Sequence, residues 1–380
     1  MAPHHYAIFS AQYLPSMGGV ELFSDNLARE LVHEGHQVSV VASARKGAPA
    51  REDRDGFQVV RLPAAQLLDG RLPVTLKDAA YRRIWGRLLD EDVDRVLVNT
   101  RFYPHSLEGL RFAAEKGAPA VMLEHGSAHL SFGIPAADAV VERWEHLVTA
   151  RARAARPVFA GVSLAACSWL EHFGIKTDVV INNAIDAAAF RDGSSGRDFR
   201  AELGIAPDAF MACFVGRFVA EKGPLAVLDA ARLLPEVSFV VAGAGPEEDH
   251  IRAVADYLPN VSLVGRLGRE DVSALFCCAN CFVLPSVYPE GMPTALLEAG
   301  AWGCLPVICP VGGVADVLGD SGWGEICGAS ADEVTAAIAR LAVLPAEERA
   351  RRSAAFRERV ETGFTWAHTA AQLDAAYPCA

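Results

Sequence analysis

Short apolar runs recur along the chain, separated by stretches in which apolar residues return at helical spacing. The first run, His5 to Ser10, predicts a strand. After AQYLPSMGG, a helix is expected from Val20 to Gly35, where Phe23, Leu27 and Leu31 fall on one face. Further strands are predicted at Gln37 to Ala42, Phe57 to Leu62, Arg95 to Asn99, Ala120 to Leu123 and Pro157 to Val162. The second half adds Val179 to Asn182, Phe210 to Val215, Val237 to Ala242 and Phe282 to Leu284. Apolar strands alternating with amphipathic helices predict a mostly parallel sheet covered on both faces, an α/β fold. A chain of 380 residues exceeds what one hydrophobic core usually serves, so two domains are expected.

The most informative stretch runs from Cys281 to Asp316, CFVLPSVYPEGMPTALLEAGAWGCLPVICPVGGVAD. A buried strand ends at Pro285-Ser286, and a helix begins at Pro293, with Gly300 and Gly303 bracketing its far end. A helix start offers free N–H groups and partial positive charge, which suits a phosphate or diphosphate. Glu290 in the loop and Glu298 about a turn inside the helix would repel that anion, so hydroxyl groups are their expected partners. Glu298 suits a ribose diol and Glu290 a sugar hydroxyl, which makes the element a nucleotide-sugar cradle. Arg217 and Lys222, just past the strand ending at Val215, are two cations in a Gly-bounded loop able to converge on a diphosphate. Gly18 and Gly19 occupy the strand-to-helix position of a phosphate loop, where backbone approaches a ligand closely. His125 follows the strand Ala120 to Leu123, at the end where open α/β sheets place ligands.

The segment PSVYPEGMPTALLEAGAWGCLPVI, followed by GGVAD, closely resembles the signature of retaining glycosyltransferase family 4, in the glycogen-synthase-like group. Its E-x7-E pair matches Glu290 and Glu298, and its R-x4-K matches Arg217 and Lys222. The resemblance covers nearly the whole chain. It implies the GT-B architecture: two Rossmann-like domains facing across a cleft, residues 1–183 on the acceptor side and 184–362 on the donor side. Residues 363–380, including GFTWAHTAAQLDAAY, would form a helix crossing back to the first domain. It implies transfer of a sugar from a nucleoside diphosphate sugar to a glycan or lipid-linked acceptor hydroxyl, with retention, in cell-surface polysaccharide or glycolipid assembly. By the same resemblance Arg217 and Lys222 contact the donor diphosphate and GGVE at Gly18-Gly19 faces it. His125 would position the transferred sugar, and Arg266 and Leu267 would meet the base through their main chain. Gly291, Met292, Pro293, Thr294 and Ala295 complete the donor-binding loop and helix start. A nucleotide-sugar epimerase of the same fold and a non-catalytic nucleotide-sugar sensor are the other readings. Met292 replaces a frequent aromatic residue and Asn280 a frequent aspartate; neither removes a contacting charge.

Composition narrows the setting. With 51% hydrophobic and 22% charged residues the chain is globular, and a net charge of −12 argues against nucleic acid as a partner. The nine cysteines, scattered through apolar segments, are expected to be reduced, and Cys278 and Cys281 are read as packing residues because no second pair completes a zinc site. The N-terminus lacks the order of a secretory signal, so a cytoplasmic protein is expected, at most on the inner face of the cell membrane. Asp92-Val93-Asp94 spells a D-x-D but precedes its strand, and is read as a polar cap. No metal or other cofactor is therefore expected. Between Arg61 and Leu89, Arg61, Arg71, Lys77, Arg82, Arg83 and Arg87 outnumber Asp69 and Asp78, with Tyr81, Ile84 and Trp85 interleaved. This segment reads either as a peripheral contact with an anionic membrane or as a solvated helix whose apolar side is core.

Overall fold

The computed structural model describes residues 3–16, 18–68, 70–131 and 134–378. The chain divides into two compact units, Met1–Asn183 together with Trp366–Ala380, and Ala184–Thr365.

The first unit carries strands β1 (His5–Ser10), β2 (Gln37–Ser43), β3 (Arg51–Arg54), β4 (Phe57–Leu62), β5 (Ala64–Leu67), β6 (Leu72–Thr75), β7 (Arg95–Asn99), β8 (Ala120–Glu124) and β9 (Val158–Gly161). Its helices are α1 (Gly19–His33), α2 (Ala79–Asp90), α3 (Pro104–Lys116), α4 (Pro135–Ala154) and α5 (Leu164–Leu170). The main sheet has the order β3-β4-β2-β1-β7-β8-β9, parallel except for the edge strand β3, and β5 and β6 form a separate antiparallel pair. In the middle, Ile8 stands between Val40 of β2 and Leu97 of β7. Both faces of this strand must be covered, which is why β1 reads as an uninterrupted apolar run. The chain reverses direction of travel across the sheet at β1 and β7, the position at which open α/β sheets leave a crevice.

Helix α2 carries the second half of the basic segment. Asp78 caps it by accepting from the Tyr81 N–H at 2.8 Å. Tyr81, Trp85 and Leu88 then enter the core beside Phe9, Val98 and Phe112. Arg61 is buried and pairs with Glu52 at 2.7 Å, so it belongs to no surface patch. The aromatic residues expected at a membrane are core residues, and α2 keeps Arg82, Arg83 and Arg87 on its exposed face. The solvated-helix reading fits this arrangement; Asp69 lies outside the described residues. No helix among the described residues is long and apolar enough to cross a membrane.

The second unit carries β10 (Met211–Val215), β11 (Ser238–Ala242), β12 (Val261–Gly265), β13 (Cys281–Leu284), β14 (Leu305–Ile308) and β15 (Glu325–Ile326). Its helices are α6 (Ala187–Asp192), α7 (Phe199–Leu203), α8 (Pro224–Leu233), α9 (Glu248–Ala255), α10 (Arg269–Cys278), α11 (Thr294–Trp302), α12 (Val314–Leu318), α13 (Ala331–Ala342) and α14 (Ala346–Gly363). Its sheet is wholly parallel, in the order β12-β11-β10-β13-β14-β15. This is the doubly wound strand order of dinucleotide-binding folds, with the reversal between β10 and β13. Helix α11 begins at Thr294, with Pro293 as an extended N-cap one position outside the predicted start. Gly300 lies inside the helix, where a Cβ would come within 2.4 Å of Val360 on α14. Its role is close helix packing; Gly303, at φ 71°, ends the helix.

The last helix, α15 (Trp366–Ala376), belongs to the first unit. Asp374 accepts from Tyr6 and pairs with Arg95 at 2.9 Å, and Trp366 meets Phe23 edge-on at 5.6 Å. Its Gln372 also accounts for a failed expectation. Val179 to Asn182 forms only a single bridge, between Gly161 and Val180. The Asn182 N–H donates instead to the Gln372 side chain at 2.8 Å, so helix polar groups replace a sheet neighbour.

Arg101, 1% exposed, follows Thr100, whose φ of 66° turns the chain inward after β7. Its guanidinium lies 2.8 Å from Glu124 and 3.0 Å from Glu145, bonds Thr149 at 3.1 Å and stacks 3.6 Å over the Phe173 ring. Arg101→Met should destabilise the protein by about 3–5 kcal/mol, because two buried carboxylates lose their counter-ion. Denaturant titration followed by tryptophan fluorescence would measure the loss, and an unchanged transition would show that the charges are compensated elsewhere.

Candidate active site

In the second unit the loops after β10, β11 and β12 enclose a cavity of about 380 Å³. Arg217, Arg266 and Leu267 line it, together with Gly216, Ala242, Gly243, Ala244 and Val272. The glycines are steric requirements. A Cβ on Gly243 would stand 2.0 Å from the Gly216 carbonyl oxygen, so two strand ends can approach here only without side chains. Arg217, Arg266 and Leu267 are among the residues that the sequence singles out; the turn at Gly243-Ala244-Gly245 is not.

Lys222 ends a single helical turn, Ala220–Lys222, before α8. The Glu221 carbonyl oxygen accepts from the Val287 N–H at 2.8 Å, the Tyr288 N–H at 3.2 Å and the Ser286 hydroxyl at 3.2 Å. Gly223, at φ 69°, allows the close approach, since a Cβ there would lie 2.6 Å from the Pro285 oxygen. This clamp fastens the loop after β10 to the loop after β13, and Lys222 meets Glu290 in direct ion-pair contact. Its ammonium also lies 5.2 Å from the centre of the Tyr288 ring. On the other side, the Gly313 N–H donates to the Gly291 oxygen at 2.7 Å, and a Cβ on Gly312 would be 2.2 Å from the Glu290 oxygen. The glycines of GGVAD thus support the backbone that carries Glu290.

Burial pulls the Lys222 ammonium down to about 8, the Arg217 charge adds to the fall, and the Glu290 carboxylate in contact works the other way. Burial pushes the Glu298 carboxyl up to about 7, opposed by Arg269. Glu298 sits in the second turn of α11. Thr294 and Ala295 open that helix, and no side chain caps it. Their N–H groups belong to the first turn, which has no intrahelical acceptors. Met292 is buried beside them.

In the first unit, His125 follows β8 and its Nε2–H donates to the Asn99 side-chain oxygen at 2.8 Å, while Asn99 donates to Ser24 at 3.0 Å. Phe23 packs edge-on against the ring at 4.8 Å. Burial lowers His125 to about 3, so it is a neutral imidazole throughout the working range, with Nδ1 as an acceptor. The loop begins on Glu124, which accepts from the His125 and Gly126 N–H groups at 3.1 Å each. Asn99, Arg101 and Glu124 were not among the predicted site residues; their only signal was polar residues placed directly after apolar strands.

Gly18 is the N-cap of α1 and Gly19 its first residue. A Cβ on Gly18 would meet the Glu21 carboxylate at 2.3 Å, whereas Gly19 borders open space. The buried Glu21, pushed up by desolvation, therefore stands where the sequence suggested an anion. Asp92 and Asp94 lie before β7, at its amino-terminal end. Asp94 accepts from the His5 N–H at 3.2 Å and contacts His4 at 3.0 Å.

A second cavity, of about 290 Å³, opens among Gln12, Leu68, Arg71, Phe102, Tyr103 and Trp144 of the first unit.

Residues 17–189 match the family model described as Glycosyltransferase Family 4, and residues 196–359 match that described as Glycosyl transferases group 1. The D-inositol 3-phosphate glycosyltransferase of Mycobacterium avium is 35% identical over 208 residues, 52% of this chain and 48% of that one. The chain thus spans about half the length of such curated relatives. Among solved structures, sucrose-phosphate synthase from Thermosynechococcus elongatus superposes with a TM-score of 0.75 at 18% identity, over 98% of both chains. Anabaena HepE, solved in complex with UDP and glucose, gives a TM-score of 0.70 at 16% identity, again over 98% of both. The two halves of the sequence thus match two glycosyltransferase models in turn, and the fold is the two-domain α/β fold of GT-B glycosyltransferase structures.

Proposed function

We propose that the protein is a retaining glycosyltransferase of family 4, moving a sugar from a nucleoside diphosphate sugar to an acceptor hydroxyl of a glycan or lipid-linked glycan. The observation that carries this reading is the Lys222–Glu290 pair beside a cavity bordered by Arg217. A lysine and an arginine close enough to lower the lysine's proton affinity form a local excess of positive charge, which a diphosphate relieves. The base lies against the main chain of Arg266 and Leu267, and the ribose diol donates to Glu298. The diphosphate takes Lys222, Arg217 and the Thr294 and Ala295 N–H groups, and releases Glu290 to a sugar hydroxyl.

The bond from the anomeric carbon to the phosphate oxygen breaks as the bond to the acceptor oxygen forms on the same face. The acceptor proton passes to the departing diphosphate, whose charge the cations and amides stabilise. Neutral His125 accepts from a sugar hydroxyl and orients it. No divalent cation is required at the phosphates, because fixed positive charge already occupies that role. HepE, solved with UDP-glucose, is a relative of the same fold and supports the choice of UDP-sugars as first candidates. The second cavity, with Leu68, Phe102, Tyr103 and Trp144 beside Arg71, suits an acceptor that has both apolar and anionic parts.

The direct test is product formation. Incubation with UDP-, GDP- and ADP-sugars and lipid-linked or oligosaccharide acceptors should give a sugar-bearing product by mass spectrometry, whereas epimerised donor without transfer would identify an epimerase.

Glu298→Ala should weaken UDP binding by about 1–3 kcal/mol in calorimetry through loss of a charge-assisted diol contact. Unchanged affinity would remove Glu298 from the ribose site. In the free protein, UDP affinity should rise with pH as Glu298 ionises near 7, and fall again as Lys222 loses its proton near 8. Glu298→Gln should flatten the acid limb and Lys222→Arg should move the alkaline limb upward. UDP affinity should be the same in EDTA as in Mg²⁺, while Lys222→Ala should lower turnover on the order of 10²-fold. A strict Mg²⁺ requirement for UDP binding would refute the assignment of the phosphate charge to Arg217 and Lys222.

A further inference from the structure

The first unit gathers three imidazoles and a carboxylate that the donor chemistry does not use. His129 lies on the loop after β8, Glu142 and His146 stand one turn apart on α4, and His172 lies on the short turn Glu171–Phe173. One ligand atom from each lies within 4.8 Å of every other. His129 Nε2 is 3.1 Å from His172 Nε2 and 3.8 Å from a Glu142 oxygen. Zinc–nitrogen bonds of about 2.0–2.1 Å in a tetrahedron set neighbouring ligand atoms about 3.3 Å apart, so these separations bracket the required edge.

A second observation concerns orientation. The His129 Nδ1–H donates to buried Glu145 at 2.9 Å, and Arg101 contacts that carboxylate from the other side at 3.0 Å. This is the carboxylate–histidine arrangement that fixes the tautomer and aims the Nε2 lone pair outward, as in zinc sites. That lone pair is directed at His172, whose ring stacks on Trp169 at 4.9 Å with an interplanar angle of 5°. Glu142, His146 and His172 are exposed, so a hydrated cation can reach them.

We propose that His129, Glu142, His146 and His172 form a site for a transition-metal dication of the zinc class. Imidazoles with one carboxylate favour Zn²⁺, Co²⁺ or Ni²⁺ over Mg²⁺ or Ca²⁺, which take oxygen-rich sets. The metal is structural in effect. It joins the loop after β8, α4 and the turn after α5, and Glu145, which also accepts from the Leu130 N–H at 2.9 Å, passes through Arg101 to Glu124 at the start of the His125 loop. Occupancy therefore rigidifies the segment from His125 to Leu130. The site lies in the first unit and takes no part in neutralising a donor diphosphate.

Untagged full-length protein, stripped with chelator and dialysed, should bind one equivalent of Zn²⁺ by calorimetry. Co²⁺ should give the intense visible absorption of a four-coordinate site, and Zn²⁺ should slow hydrogen exchange at residues 125–130. His146→Ala/His172→Ala removes two exposed ligands. Loss of an outer-shell partner alone typically costs 10–100-fold, so the double variant should bind Zn²⁺ more than about 100-fold more weakly. Its far-ultraviolet circular dichroism and metal-free melting should match those of the stripped wild type. UDP affinity should be the same for both proteins, with or without Zn²⁺. Failure of the wild type to bind stoichiometric Zn²⁺, an octahedral Co²⁺ spectrum, or undiminished binding by the double variant would each overturn the proposal.

Discussion

Each unit is built on a sheet that is parallel apart from the edge strand β3, and that constraint governs everything at its functional edge. Parallel strands must all be re-entered from the same side, so the loop that leaves each strand emerges at one edge. In the second unit this gathers Arg217, Gly243, Arg266 and Glu290 from loops distant in sequence around the ends of β10 to β13. In the first, it brings Arg101 after β7 beside His125 after β8. The apolar strands pay for this arrangement by burying both faces of each sheet, and leave the loops free to carry charge.

Several charges at those loops are balanced within the protein. Lys222 meets Glu290; Arg101 is shared by Glu124 and Glu145; His125 is kept neutral by burial. A buried unpaired charge is costly, so compensation is a condition of folding. It also sets how binding proceeds. In the proposed donor complex, a diphosphate displaces Glu290 from Lys222, and that exchange frees a carboxylate for a hydroxyl of the sugar. The Glu221 carbonyl clamp matters because it keeps both partners in place while the exchange occurs.

Much of this was legible in the sequence where local pattern is sufficient. The apolar runs marked the strands, and the Arg217, Lys222 and Glu290 pattern marked the loops after β10 and β13 that the structure brings into contact. What was not legible depended on long-range partners. Arg101 looks like one more loop arginine until Glu124 and Glu145 close on it. Tyr81 and Trp85 look like a membrane-facing stripe until Phe112 packs against them. Val179 to Asn182 has strand character but pairs with its sheet neighbour through a single bridge at Val180, because Gln372 takes the Asn182 N–H. His129 and His172 lie too far apart in sequence for any spacing motif, and only the packing of α4 against the turn after α5 brings them together.

The central claim is that sugar leaves the diphosphate and is joined to an acceptor from the same face. Proton NMR of the first-formed product, recorded before any anomerisation, reads that directly through the anomeric signal of the transferred sugar. With an α-linked nucleotide sugar, the account predicts a newly formed α-linkage to the acceptor. A β-linked product would contradict it.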